Sequence, residues 1–187
     1  MNIVVSTRTQ ISTDDFLEAA SCGNVPVVQA YIDSGANRNV QDKGDNTALH
    51  WASLNGSTEC VELLIQAGAD FNVQQQYGWT ALHLASWHDN TGCVKLLVDA
   101  GADLNIRTTK DWSEWNGSKA GSRAIDIVRE RGHTEIVELL ESTFTTIIQS
   151  LLRMYLKRKN YLEILSLKPD GSGYLEVKAE FESLASR

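Results

Sequence analysis

The chain has 187 residues, with 24 Asp and Glu against 17 Lys and Arg and a formal net charge of −7, a balance that argues against general binding to nucleic acid or to an anionic membrane. Three cysteines are too few, and odd in number, for a disulfide framework, which points to reduced thiols in the cytoplasm or nucleus. No apolar run approaches the ~18 residues that a membrane span needs, and the start MNIVVSTRTQ lacks the basic and apolar segments of a secretory signal.

Residues 1–13 form an N-terminal extension. The next stretch, TDDFLEAASCG, reads as a helix with Asp14 and Asp15 near its positive end, followed by VVQAYIDSGANRNV. From residue 42 the chain repeats itself. TALHWASLNG at 47–56 is answered 33 positions later by TALHLASWHD at 80–89, and VELLIQAGAD by VKLLVDAGAD. Thr47 and Thr80 are placed to start a first helix with a hydroxyl accepting a backbone N–H. A second helix follows, with Thr58 as its expected cap. It ends at Gly68 in one copy and Gly101 in the other, where a left-handed residue closes a helix without steric cost. A fourth copy, RAIDIVRERGHTEIVELLE, falls into register only when ten extra residues are allowed. The units are 14–41, 42–74, 75–107 and 108–142, with an inserted loop at 108–122.

The order of T-A-L-H, a mid-unit glycine (Gly23, Gly56, Gly132), a V-x-L-L helix and G-A-[DN]-x-N resembles the ankyrin repeat family over about three-quarters of the chain. The resemblance implies an all-α solenoid in which each unit is a tight turn and two antiparallel helices, and in which at least three units stack to bury a common core. It implies that His50 and His83 are structural, bonding the helix-start Thr47 and Thr80 and tying one unit to the next. Ala48 and Ala81 stand where the family usually has proline.

His50, His83, Cys60 and Cys93 recur in register and could suggest a zinc site. Equivalent positions in stacked units lie roughly 8–10 Å apart, whereas two thiolates on one zinc must lie within ~4 Å of each other. No metal site, cofactor or catalytic constellation is therefore expected, and the chain reads as a non-enzymatic module.

Function is sought where the copies differ. The family binds protein partners along the concave face formed by turn tips and first helices, which implies contacts at Lys43, Asn46, Leu54, Asn55, Gln76, Tyr77, Trp79, Trp87, His88, Glu130 and Arg131. Trp79 and Trp87 serve either as exposed anchors or as packing between units; the residues alone allow both. Trp112 and Trp115, in the inserted loop, either fold back on the stack or extend this aromatic patch.

Residues 1–142 carry 10 Lys and Arg against 19 Asp and Glu, and residues 143–187 carry 7 against 5. An acidic array favours a basic protein partner, and a monomer is expected. After residue 142 the period is lost. Phe144, Ile147, Ile148, Leu151, Leu152, Tyr155, Leu162 and Leu165 predict an amphipathic helix over about 143–166. The segment 143–187 is read as a tail that caps the array or binds a partner. It also faintly resembles the suppressor-of-cytokine-signalling box of cullin-ligase substrate receptors, which would make the chain an adaptor. A further alternative is the regulatory portion of a longer enzyme.

Overall fold

A computed structural model describes residues 11–110 and 119–158, which form eight helices and no strand among those residues. They are α1 (Thr13–Cys22), α2 (Val25–Asp33), α3 (Ala48–Leu54), α4 (Thr58–Gln66), α5 (Ala81–Trp87), α6 (Thr91–Asp99), α7 (Ala124–Arg131) and α8 (Thr134–Arg158). The chain divides into two parts, Met1–Glu141 and Ser142–Arg187.

In the first part the helices form two layers. The first helices of the units stack in the order α1, α3, α5, α7, and the second helices α2, α4, α6 stack behind them. Each short first helix is started by its own sequence. Thr47 Oγ1 accepts from the His50 N–H, while His50 Nδ1 accepts from the Thr47 N–H at 3.1 Å; Thr80 and His83 repeat the arrangement at 3.2 Å. The histidine thus occupies the position that a glutamate fills in the commoner capping box. The second helix α4 starts differently from expectation. Ser57 is its N-cap and Thr58 its first helical residue, with no side-chain cap bond at this end.

The core is built from small and aliphatic side chains between the layers. Leu49, Ala52, Cys60, Val61 and Leu64 of one unit and Leu82, Ala85, Cys93, Val94 and Leu97 of the next are all buried. Burial of this kind is the dominant favourable contribution to a stack of two-helix units.

Three sets of polar contacts recur between neighbouring units. His50 Nε2 donates to the Trp79 carbonyl at 3.1 Å and His83 Nε2 to the Ser122 carbonyl at 3.3 Å. Asn90 Nδ2 donates to the Ser53 and Leu54 carbonyls at the end of α3, Asn55 Nδ2 to the Ser21 carbonyl, and His133 Nε2 to the Trp87 carbonyl. Asn39 accepts from the Asp70 N–H and Asn72 from the Asp103 N–H. In the fourth unit Asp126 replaces the histidine. Its carboxylate pairs with Arg123 at 3.0 Å, within its own unit.

The turns between units are also closed alike. The Asp42 N–H bonds the Asn46 carbonyl and the Gln75 N–H the Trp79 carbonyl, each at 2.9 Å. The same bond closes the inserted loop, from the Thr108 N–H to the Ser122 carbonyl at 2.9 Å, and the Thr108 hydroxyl accepts from the Ser122 N–H. The insertion is therefore pinned at its base.

The second helix of the fourth unit and the helix expected at 143–166 are one continuous element, α8, beginning at Thr134. No glycine, proline or capping sequence interrupts residues 134–158, so nothing terminates the first helix before the second begins. In the part after Glu141, Thr146 and Ser150 donate their hydroxyls back to the Ser142 and Thr146 carbonyls, and Ile147, Ile148, Leu151 and Met154 are exposed. Leu162 and Leu165, with the rest of 159–187, lie outside the described residues, as do residues 1–10. None of the described helices is long and apolar enough to cross a membrane.

Candidate functional site

The four residues that repeat in register are absorbed by the scaffold. Both ring nitrogens of His50 and of His83 are engaged in the bonds above, which assigns each as the neutral Nε2–H tautomer. Burial lowers the pKa of both, that of His83 to about 4. Cys60 and Cys93 are buried and free, and burial pushes the Cys93 thiol up to about 11, the opposite of what a metal ligand or nucleophile requires. No group of His, Cys, Asp or Glu among the described residues is arranged to hold a metal ion.

Among the residues expected as partner contacts along the turn tips and first helices, one calls for a correction. Trp79 is fully buried, at 0 % exposure, and is no surface anchor. Its ring sits with Leu84 and Ile127 in a small core between the first helices of the third and fourth units, and Leu54, Tyr77 and Trp87 pack over that core. The Trp79 and Trp87 rings meet edge to face, with centroids 5.7 Å apart and planes at 67°. This is a favourable aromatic geometry, and it fixes Trp87 in place. The two tryptophans therefore split the alternatives: one packs, the other is half-buried at the surface.

Two cations cover the half-buried rings. The Arg131 guanidinium lies over the Trp87 ring at 3.8 Å, and Lys110 Nζ lies over the Tyr77 ring at 5.6 Å. Burial and the Arg131 charge together lower the pKa of the exposed His88. His133 Nε2 bonds the Trp87 backbone carbonyl at 3.3 Å, and its Nδ1 lies 3.4 Å from the Asp89 carboxylate.

Lys43, Gln76, Glu130 and Arg131 are exposed, and Asn46 and Leu54 are half-buried. Asn46 and Asn55 face the strip but are also committed to structure: the Asn46 amide bonds Asp42, and the Asn55 amide bonds Ser21. Trp112 and Trp115 lie outside the described residues. The base of their loop does touch the strip, because the Thr109 and Lys110 N–H groups bond the Tyr77 carbonyl.

One further residue of the strip was not anticipated. Trp51, half-buried, stands three positions before Leu54 and so on the same side of α3. Its indole donates to Asp42 at 3.0 Å. Burial raises the Asp42 pKa, but the bonds from Asn46, Gly44 and Trp51 outweigh that and hold it below the ordinary carboxylate value. With Asp14, Leu17, Glu18 and Ser21, Asp42 and Trp51 line a shallow concavity at the first-unit end of the strip. The strip is thus acidic at that end and aromatic with two cations at the other.

No curated protein matches the chain. Residues 16–108 match the family model described as ankyrin repeats (3 copies), ending where the inserted loop begins. Repeats of this family generally mediate protein–protein interaction and typically form non-enzymatic modules. The fourth unit lies beyond the matched residues, and its α7 packs on α5 as α5 packs on α3. Period, capping, stacking and family model agree: the chain is an ankyrin repeat protein.

Proposed function

We propose that the chain is a non-enzymatic adaptor that holds a protein partner along its concave strip. The observation that carries this reading is the contiguous Leu54, Tyr77 and Trp87 surface mounted on the buried Trp79 core. Half-buried aromatic side chains held rigidly by a core are the usual anchors of protein interfaces, and their fixed positions reduce the entropy lost on binding. Asp14, Glu18 and Asp42 at the other end favour a partner with basic character there. Trp112 and Trp115, expected from the sequence as partner contacts, belong to the same proposal. The three free thiols favour a reducing compartment, cytoplasm or nucleus.

Affinity capture with the native chain and with a Leu54→Ala/Trp87→Ala variant tests the reading, after circular dichroism has established that the variant is folded. Loss of a partner's recovery by about tenfold is expected from removing two anchors. Equal recovery of every partner by both proteins refutes the concave strip as the binding face. Recovery of cullin-ligase subunits that disappears on deleting residues 143–187 would instead make the chain a substrate receptor.

A further inference from the structure

Taking the concave strip as the protein-binding face, as proposed above, we infer that its Arg131 and Trp87 end is a receptor for a carboxylate on an acidic segment of the partner.

The chain has an excess of acids, so its cations should find partners easily, and the neighbours of Arg131 do. Arg123 pairs with Asp126 at 3.0 Å and Arg129 with Glu141 at 2.7 Å. The Arg131 side chain has no carboxylate partner and no hydrogen bond among the described residues; it lies over Trp87 instead. Lys110 repeats the pattern, over Tyr77 and without an ion pair among the described residues. Two carboxylates lie near the pair in sequence, Asp89 close to Trp87 and Glu130 beside Arg131. Asp89 is engaged by His133, and Glu130 forms no ion pair with Arg131 although it precedes it directly.

The chemistry of stacking explains what is left over. A guanidinium placed over an aromatic ring uses its face, while its five N–H donors lie in its own plane and point outward. A carboxylate can take two of those donors at once, in the paired geometry that makes Arg–carboxylate contacts strong. Holding Arg131 on the ring in the free protein also removes part of the rotamer entropy that an unrestrained arginine would lose on binding. Lys110 over the adjacent Tyr77 offers a second positive charge, and Leu54 offers an apolar surface beside them.

A partner of this shape carries a carboxylate next to an apolar side chain, with basic character further along to meet Asp14, Glu18 and Asp42. A uniform polyanion such as nucleic acid would meet that acidic end unfavourably, so the strip fits a protein segment.

The full chain, labelled for NMR, is titrated with three 12-residue peptides that share a central Leu, flanked by Asp and Glu, by Lys and Arg, or by Gln and Asn. A 12-nucleotide oligothymidylate serves as the polyanion control. The acidic peptide is expected to shift the Arg131 Nε–H and the Trp87 indole N–H saturably, and to bind about tenfold or more tightly than the neutral one. Arg131→Gln should lose about that factor, Lys110→Gln less, and Arg131→Lys should recover only part of it because the paired donors are gone. The inference is overturned if the acidic peptide binds no tighter than the neutral one, if Arg131→Gln binds it equally, or if the oligonucleotide binds tighter. Should only the basic peptide bind, and lose affinity on Asp14→Asn/Glu18→Gln, the concave strip remains the binding face and the carboxylate receptor falls. Should none of the probes shift any residue of the strip, both readings fall.

Discussion

Trp79→Ala is the substitution that most sharply separates scaffold from surface. The indole is fully buried, and an aromatic side chain of this kind buries about 150–250 Å². At about 25 cal/mol per Å² the lost transfer term alone is roughly 4–6 kcal/mol as an upper estimate, and measured Trp→Ala changes in cores fall at about 3–5 kcal/mol. The hole would be bordered by Leu84 of the third unit and Ile127 of the fourth, with Trp87 on its edge. The two helices that carry these side chains, α5 and α7, are held by other contacts and cannot both move inward to fill it, so the upper part of that range is expected. Against a total stability of about 5–15 kcal/mol for a domain, such a change leaves a marginal fold. Urea denaturation followed by far-ultraviolet circular dichroism measures it directly. A midpoint lower by roughly 2 M is expected for slopes of about 1–3 kcal/mol/M. Trp87→Ala, half-buried, should cost clearly less while affecting partner capture more. A loss below about 1 kcal/mol for Trp79→Ala, or a larger loss for Trp87→Ala, would refute this assignment of core and surface.

Acidification supplies a second measurement. Burial lowers the His83 pKa from 6.5 to about 4 in the folded chain, so between these values the unfolded state takes up the proton first. The stabilisation is complete above about pH 6.5 and is lost as pH falls toward 4, by at most about 3 kcal/mol. Urea midpoints at pH 7, 5.5 and 4.5 for the native chain and His83→Gln should converge as pH falls; parallel profiles would show that His83 does not titrate in this way. A third test concerns the pinned base of the insertion. A Cβ at Gly78 would lie 2.4 Å from the Thr109 nitrogen at φ +80°, whereas one at Gly101, φ +92°, meets nothing within 4 Å. Gly101→Ala should cost only the left-handed backbone term of about 1–2 kcal/mol, and Gly78→Ala should cost more and weaken the bond from Thr109 to Tyr77. Equal losses in thermal denaturation would show that the close approach carries no weight.

Much of the scaffold is legible because it depends on local chemistry repeated at a fixed period. Thr47 and His50 announce a helix start by spacing alone, and Gly68 and Gly101 announce an end. Two left-handed positions were hidden because the residue type changes while the backbone does not. Asp89 (φ 59°) occupies the place of Gly56, and Asp45 (φ 64°) the place of Gly78. Acidic and amide side chains tolerate that conformation better than most. The fate of Trp79 was not legible. Its counterparts in neighbouring units, Asn46 and Ser122, are polar, and what buries it is Ile127, some fifty residues later and beyond an insertion that breaks the period. The covering of Trp87 by Arg131 was hidden for the same reason, since it depends on how the fourth unit seats on the third. The joining of the fourth unit's second helix to the helix expected from residue 143 is a different case: the repeat period ends near residue 142, but no glycine or proline there ends the helix, which runs from Thr134 to Arg158.

The histidine bonds give the array a direction. His50 and His83 each reach forward to a carbonyl of the following unit, so each of those units advertises a place for its successor. Asp126 turns its carboxylate back onto Arg123 and, among the described residues, sends nothing forward. A copied unit spliced in before residue 108 would find every bond it needs already specified on both sides, whereas one appended after the fourth would meet a side chain that offers it no donor. Such a bond strengthens a junction without being required for one: the first unit has Leu17 at the histidine position and α1 still packs on α3, so what changes along the stack is the polar pinning of each junction and not its packing.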